Sequence, residues 1–282
     1  MDPRALVTRR RAMVATLLAT VLPFVAAAQP AAQETFEPRV GQAGKDVIWV
    51  PTPNGLIDRM LRMANAGPND KLVDLGSGDG RIAIAAVRDF KVASATGIEY
   101  NPAMVTLSNR NATEQGVAPR AKFIEGDIFA TDFSDATIVT MYLLPSLNLR
   151  LRPTILNMKP GTRVVSHAFT MEEWRPDDRA EVEGQNAYFW IVPARVAGTW
   201  RVQAGAETVE LKLTQSFQDF RGTAAPMNAA VQGSLKGDEI RLTLPDGKGG
   251  QRELVGKVAG EQMTGRLGAD AFTATRVAQP AP

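Results

Sequence analysis

"VDLGSGDGR", Val73 to Arg81, is a short apolar run that breaks into a glycine-rich turn. Without a Cβ, glycine lets a backbone approach a ligand closely. A nucleoside triphosphate loop needs Lys followed by Ser or Thr after its last glycine. Arg81-Ile82 stands there instead. The dinucleotide pattern GxGxxG would place its third glycine at position 81, and Asp79 would turn a carboxylate towards the pyrophosphate. Both phosphate readings fail on the residues themselves.

The flanking sequence alternates apolar runs with helical patterns. "KLVDLG", "SATGIEY", "AKFIEGD", "ATIVTMYL" and "TRVVSHAF" read as strands. Gly80–Phe90, Pro102–Gln115 and Ser146–Met158 read as the helices between them. This order predicts an α/β fold, a parallel Rossmann-like sheet covered by helices. "RAEVEG" and "AYFWIVPA" follow without an intervening helix and predict an edge hairpin. Upstream, Thr52 is expected to cap a helix with Pro53 at its first position, running to about Ala66. After Pro193 the pattern changes to strict alternation, as in "TVELKLTQ" and "EIRLTLPDGKGG", with "ELVGKVAG" and "EQMTGRLG" continuing in short pieces. These predict a small antiparallel β-sheet or barrel over 197–278.

Three acids stand at the C-terminal ends of three successive expected strands: Asp74, Glu99 and Asp127. Ligands of open α/β sheets bind in the crevice at those ends. Asp74 suits an ammonium group, Glu99 a ribose diol, and Asp127 the amino group of adenine. A phosphate-free cofactor with those three parts is S-adenosyl-L-methionine.

The order and spacing of "VDLGSGDG", "GIEYNP" and "FIEGDIF" resemble the class I S-adenosylmethionine-dependent methyltransferases. "VPTP", "YLLPSLNLRLRP" and "PGTRVVSHAF" are similar to the protein-lysine methyltransferases that modify the c-ring protein of ATP synthase, and to their bacterial relatives. The resemblance spans about Asp46 to Pro193, within a methyltransferase domain expected over 46–196. It implies methyl transfer to a lysine of a protein partner, one candidate being a small membrane protein. It also implies a cofactor site of Thr52, Asp74, Gly76, Ser77, Gly78, Glu99 and Asp127. Two departures stand out: the eukaryotic enzymes work in mitochondria, and they lack the C-terminal β module.

The Asn/Asp-Pro-Pro-Tyr sequence of many amino-methylating enzymes is absent after the fourth strand, where "MYLLP" stands. Tyr142 is a candidate for the acceptor channel, its ring favouring a cation. His167, the single histidine, is a candidate proton acceptor or a satisfied structural residue. Glu173 and Trp174 either wall the acceptor pocket or fill a loop.

Composition narrows the rest. The 282 residues are 44% hydrophobic and 22% charged, with net charge +2. Residues 1–28 hold Arg4, Arg9, Arg10 and Arg11 against Asp2, so the remainder carries −1 and gives no electrostatic case for a nucleic-acid partner. The chain has no cysteine, which excludes disulfides and thiol chemistry, and with one histidine no metal site is expected. "TRRRAMVATLLATVLPFVAAAQ" has the charge–apolar–small order of a signal peptide over 1–28, with a weak twin-arginine resemblance at Thr8-Arg9-Arg10. Its apolar part is short for a membrane span. Export to a periplasmic or membrane-associated location is expected, or a cytoplasmic one if the signal is unused. Residues 29–45 are expected to be a flexible leader. Two other functions remain open on sequence: an exported nucleoside- or ligand-binding protein without catalysis, and a β module that itself binds the partner.

Overall fold

The computed structural model describes residues 36–46, 48–246 and 249–277. The expected signal peptide lies outside the described residues. The first folded part is a seven-stranded sheet. Its parallel strands are β1 (Lys71–Leu75), β2 (Ser94–Glu99), β3 (Ala121–Glu125), β4 (Ile138–Met141) and β5 (Arg163–His167). The hairpin β6 (Asp178–Val182) and β7 (Gln185–Ile191) completes it, in the order β3-β2-β1-β4-β5-β7-β6. β7 runs antiparallel to β5. The strand order reverses beside β1 and opens the crevice there.

Central strands read as unbroken apolar runs because both faces are covered. β4 is buried along its whole length, and β1 everywhere but Lys71. The helix α2 (Arg81–Arg88) explains its own composition: Ile82 through Val87 are all buried, which excludes polar residues there. α3 (Pro102–Glu114) starts where the Asn101 side chain accepts from the Ala103 N–H, with Pro102 at a position that needs no donor. α4 (Pro145–Leu156) follows β4 and likewise opens on a proline.

One expectation changes at α1 (Asn54–Met63). Pro53, not Thr52, is the N-cap residue, and no side chain caps the helix. Leu56, Ile57, Met60 and Leu61 are buried, and the helix packs on β5, β6 and β7. Helix formation here rests on burying that face rather than on the cap. The Thr52 hydroxyl is engaged elsewhere.

The second part is a closed antiparallel barrel of eight strands in sequence order: β8 (Gly198–Ala204), β9 (Glu207–Ser216), β10 (Asp219–Ala225), β11 (Ala229–Lys236), β12 (Glu239–Pro245), β13 (Gln251–Ala259), β14 (Gln262–Leu267) and β15 (Asp270–Arg276). Closure comes from β15 on β8, in the register Thr273↔Gln203 and Thr275↔Arg201. Trp200, Leu211, Phe220, Leu242, Leu254 and Phe272 are among the buried side chains that fill it. Eight strands enclose just enough room for such a filling. Among the described residues, no helix is long and apolar enough to cross a membrane.

Candidate active site

The largest constellation of polar groups sits over the C-terminal ends of β1, β2 and β3, in a cleft of about 290 Å³. Its floor is the turn after β1. Gly76, Gly78 and Gly80 all have positive φ. A Cβ on Gly78 would lie 2.8 Å from Trp49 Nε1, so the turn and the Trp49 ring require glycine there. Gly97 in β2 has the same logic: a Cβ would meet Phe123 at 2.3 Å and Ser77 Oγ at 2.5 Å.

The three expected acids surround this floor. Asp74 is buried at the end of β1 and accepts from the Thr140 hydroxyl at 2.7 Å. Burial pushes its carboxyl up to about 7, with Asp79 and Glu99 adding to the rise and Thr140 opposing it. Glu99 accepts from the Gly78 N–H at 3.0 Å and the Asn101 N–H at 2.9 Å, which aims its carboxylate along the turn. Asp127 lies just past β3, in a turn closed by the Phe129 N–H on its Oδ1 at 2.9 Å. That bond, with Lys45 beside it, holds Asp127 below the usual carboxylate range. Ser77 Oγ is buried with no hydrogen-bond partner among the described residues.

The cleft has a cover that sequence reasoning missed. Residues 39–49, the first of which fall in the expected leader, fold into a strap. Gly41 N–H donates to the Trp49 carbonyl, Trp49 N–H to the Gln42 carbonyl, and Ala43 bridges Ile48. Lys45 Nζ reaches Asp127 Oδ2 at 2.9 Å and sits 4.4 Å from the Tyr100 ring centre. The only sequence hints were Trp49 and Lys45 themselves, lone residues in a stretch without periodicity.

The other end of the cleft is aromatic. Tyr142 and Phe169 line it with ring centres 6.4 Å apart, beside Leu144 and Leu147. Phe169, expected inside the fifth strand, lies beyond the end of β5. The Tyr142 hydroxyl has no hydrogen-bond partner among the described residues, and burial raises its pKa, so it stays protonated. His167 is not at the surface of the cleft. Its ring lies 3.7 Å behind that of Tyr142, its Nδ1 faces the Thr52 hydroxyl at 3.0 Å, and its Nε2 faces Gln185 Oε1 at 3.0 Å. That network assigns the proton to Nε2 and leaves Nδ1 accepting from Thr52. Burial lowers the histidine pKa, so the ring is neutral and supports Tyr142. Thr52 thus joins the cleft to His167. Glu173 pairs with Arg152, Trp174 is buried, and neither lines the cleft.

Comparison with known proteins now adds to the geometry. The ANTKMT methyltransferase domain family matches residues 74–178. A protein-lysine N-methyltransferase of Saccharolobus islandicus is 43% identical over 151 residues, 52% of this chain and 94% of that protein. This chain belongs to the class I S-adenosylmethionine-dependent methyltransferases. A solved structure described as an RNA methyltransferase from Salinibacter ruber, in complex with S-adenosyl-L-homocysteine, is similar at 47% identity and a TM-score of 0.51. It covers 52% of this chain and 96% of that one. The human adenosylmethionine-dependent relative that methylates a lysine of the ATP synthase c-ring protein is 34% identical over 130 residues, and the chain spans about half of its length. The cofactor of this methyltransferase is S-adenosyl-L-methionine, and the donor set suits it. Asp74 offers a buried carboxylate for an ammonium, Glu99 an acceptor for a ribose diol, and the glycine turn a close backbone approach. When bound, the cofactor supplies a methyl group on a positively charged sulfur.

Proposed function

We propose that this methyltransferase N-methylates a lysine side chain of a protein. The observation that carries the reading is the aromatic end of the cleft, Tyr142 and Phe169, with no carboxylate between them. An amine must be neutral to use its lone pair, and an apolar chamber disfavours the ammonium form. The Tyr142 hydroxyl is free to accept from the amine N–H and orient it, and the ring face favours the cation that forms on nitrogen. Alignment and exclusion of water then supply most of the rate, without a strong base. His167 is neutral and engaged at both nitrogens, which argues against it as that base.

Charge supports a cationic acceptor. The cleft carries Asp46, Asp74, Asp79, Glu99 and Asp127 against Lys45 and Arg81, and both of those cations are already paired with acids. A phosphate backbone would need unpaired cations. The mouth is apolar: Ile48, Val50 and Leu144 line the cleft and are also exposed. This favours a lysine flanked by apolar residues, as in a small membrane protein. The arginine-rich leader supports action outside the cytoplasm, which a fusion of residues 1–35 to an export-dependent reporter would test.

The deciding experiment incubates the purified protein with methyl-labelled cofactor and membrane, soluble-protein and RNA fractions, then maps the labelled residue. Label on lysine is expected. Label confined to RNA overturns the reading in favour of the acceptor class of the Salinibacter protein.

A further inference from the structure

The archaeal relative is matched along almost its whole length by a stretch that suits one of the two folded parts, not both. The barrel therefore asks for a role of its own. Its β9–β10 hairpin turns on two residues, Phe217 and Gln218, between the paired Ser216 and Asp219. Phe217 has φ +55°. Positive φ at the first central position only is the type II′ pattern, where glycine is the ordinary occupant and a bulky residue is an outlier.

The outlier has a contact to match. The Phe217 ring stacks on Trp174 at 6.1 Å and 12°, and the Arg152 guanidinium lies 5.4 Å from its centre. Next to it, buried Gln218 donates from Nε2 to the Arg175 carbonyl at 2.8 Å, and Asp219 sits 3.6 Å from Arg175. The hairpin tip thus grips residues 174–175 three ways.

Those residues end the loop that begins with Phe169. The loop is held in an improbable shape. Ala168 and Glu172 have φ +65° and +52° without being glycine, and the Phe169 N–H donates back to the His167 carbonyl at 2.8 Å. Such conformations persist only where surroundings over-determine them. α4 supplies one hold: Asn148 Nδ2 donates to the Phe169 and Thr170 carbonyls at 3.3 Å, and Arg152 to the Met171 carbonyl at 2.9 Å. The barrel supplies the other, because Arg152 and Trp174 are the very side chains that Phe217 covers.

We propose that the β9–β10 hairpin is a brace for the acceptor wall, with Phe217 a positioning residue that sets Phe169 through Trp174, Arg152 and the 168–175 loop. The proposal rests on reading Phe169 as part of the acceptor chamber. The test is Phe217→Gly in the full chain, a change that suits the turn and removes only the ring. Amide hydrogen exchange in residues 168–175 should quicken at least tenfold, with the barrel amides unchanged. S-adenosylhomocysteine affinity should stay within twofold, while kcat/KM for the acceptor falls about tenfold. Phe217→Trp should restore both. In a Phe169→Ala background, Phe217→Gly should add no further loss, since the two act through one wall. Unchanged exchange in 168–175, or a loss that adds in full to that of Phe169→Ala, overturns the brace. Should Phe217→Gly fail to fold, Gln218→Ala removes the bond to Arg175 and is read the same way. A wild-type protein that labels no lysine sinks the proposed function alone, because the exchange measurement still decides the brace.

Discussion

On the cofactor side of the cleft, Asp74, Glu99 and the glycine turn belong to two adjacent strands or their immediate ends, and backbone N–H groups fix the Glu99 carboxylate. On the acceptor side, Trp49, Tyr142 and Phe169 come from a strap, the β4–α4 connection and the loop after β5. The first side is polar and set by strand register. The second is aromatic and set by packing between segments distant in sequence. A single substitution should therefore act differently at the two ends.

The largest effect is expected from Glu99→Ala. It removes the ribose acceptor and frees the Gly78 N–H, and hydrogen bonds to charged groups are worth about 1.5–3 kcal/mol each. Titration calorimetry should show S-adenosylhomocysteine bound at least ~100-fold more weakly. A change under threefold would show that this side is not set by its carboxylates. Tyr142→Ala and Phe169→Ala should do the reverse, lowering kcat/KM for the acceptor by about 10–100-fold while cofactor affinity stays within threefold. Equal losses in both measurements would erase the distinction between the two ends.

The pH response sharpens it further. Asp74 has its carboxyl raised to about 7 in the ligand-free protein, so ionising it opposes folding, and stability falls as pH rises from about 4 towards 7. An ammonium beside Asp74 favours the ionised form. Below pH 7 binding must then release a proton, and affinity should weaken by up to about tenfold for each unit that pH falls. Asp74→Asn should be weak and flat between pH 5.5 and 8. A wild-type affinity independent of pH across that range would remove Asp74 from the ammonium site. The smallest effect belongs to Lys45→Ala. Its pair with Asp127 is exposed and screened, so cofactor affinity should shift less than threefold, and less still at high salt.

The same contrast explains what the sequence revealed. Strands, helices and the three acids were legible because apolar periodicity and a glycine turn are local signals. The acceptor side was not. Phe169 reads as the tail of a strand, since nothing local marks the turn at Ala168. Thr52 beside Pro53 carries every mark of a helix cap, yet a partner 115 positions away, His167, takes its hydroxyl. The strap is ordered by Trp49 over Gly78 and Lys45 on Asp127, contacts that no window of sequence contains. In the barrel, the alternation of β9 and β12 was plain, whereas Gly222 and Gly233 blur β10 and β11, and closure depends on the first and last strands meeting.

That closure also sets a timetable. Chains leave the ribosome from the N-terminal end, and domains fold in that order. All of the seven-stranded sheet is complete once Ile191 has emerged, but β8 must wait for β15 before its edge is covered. Until then β8 offers an unpaired edge above a core containing Trp200 and Leu211, the kind of surface that recruits other chains. A stop codon within β15 should therefore produce insoluble protein rather than a shorter enzyme.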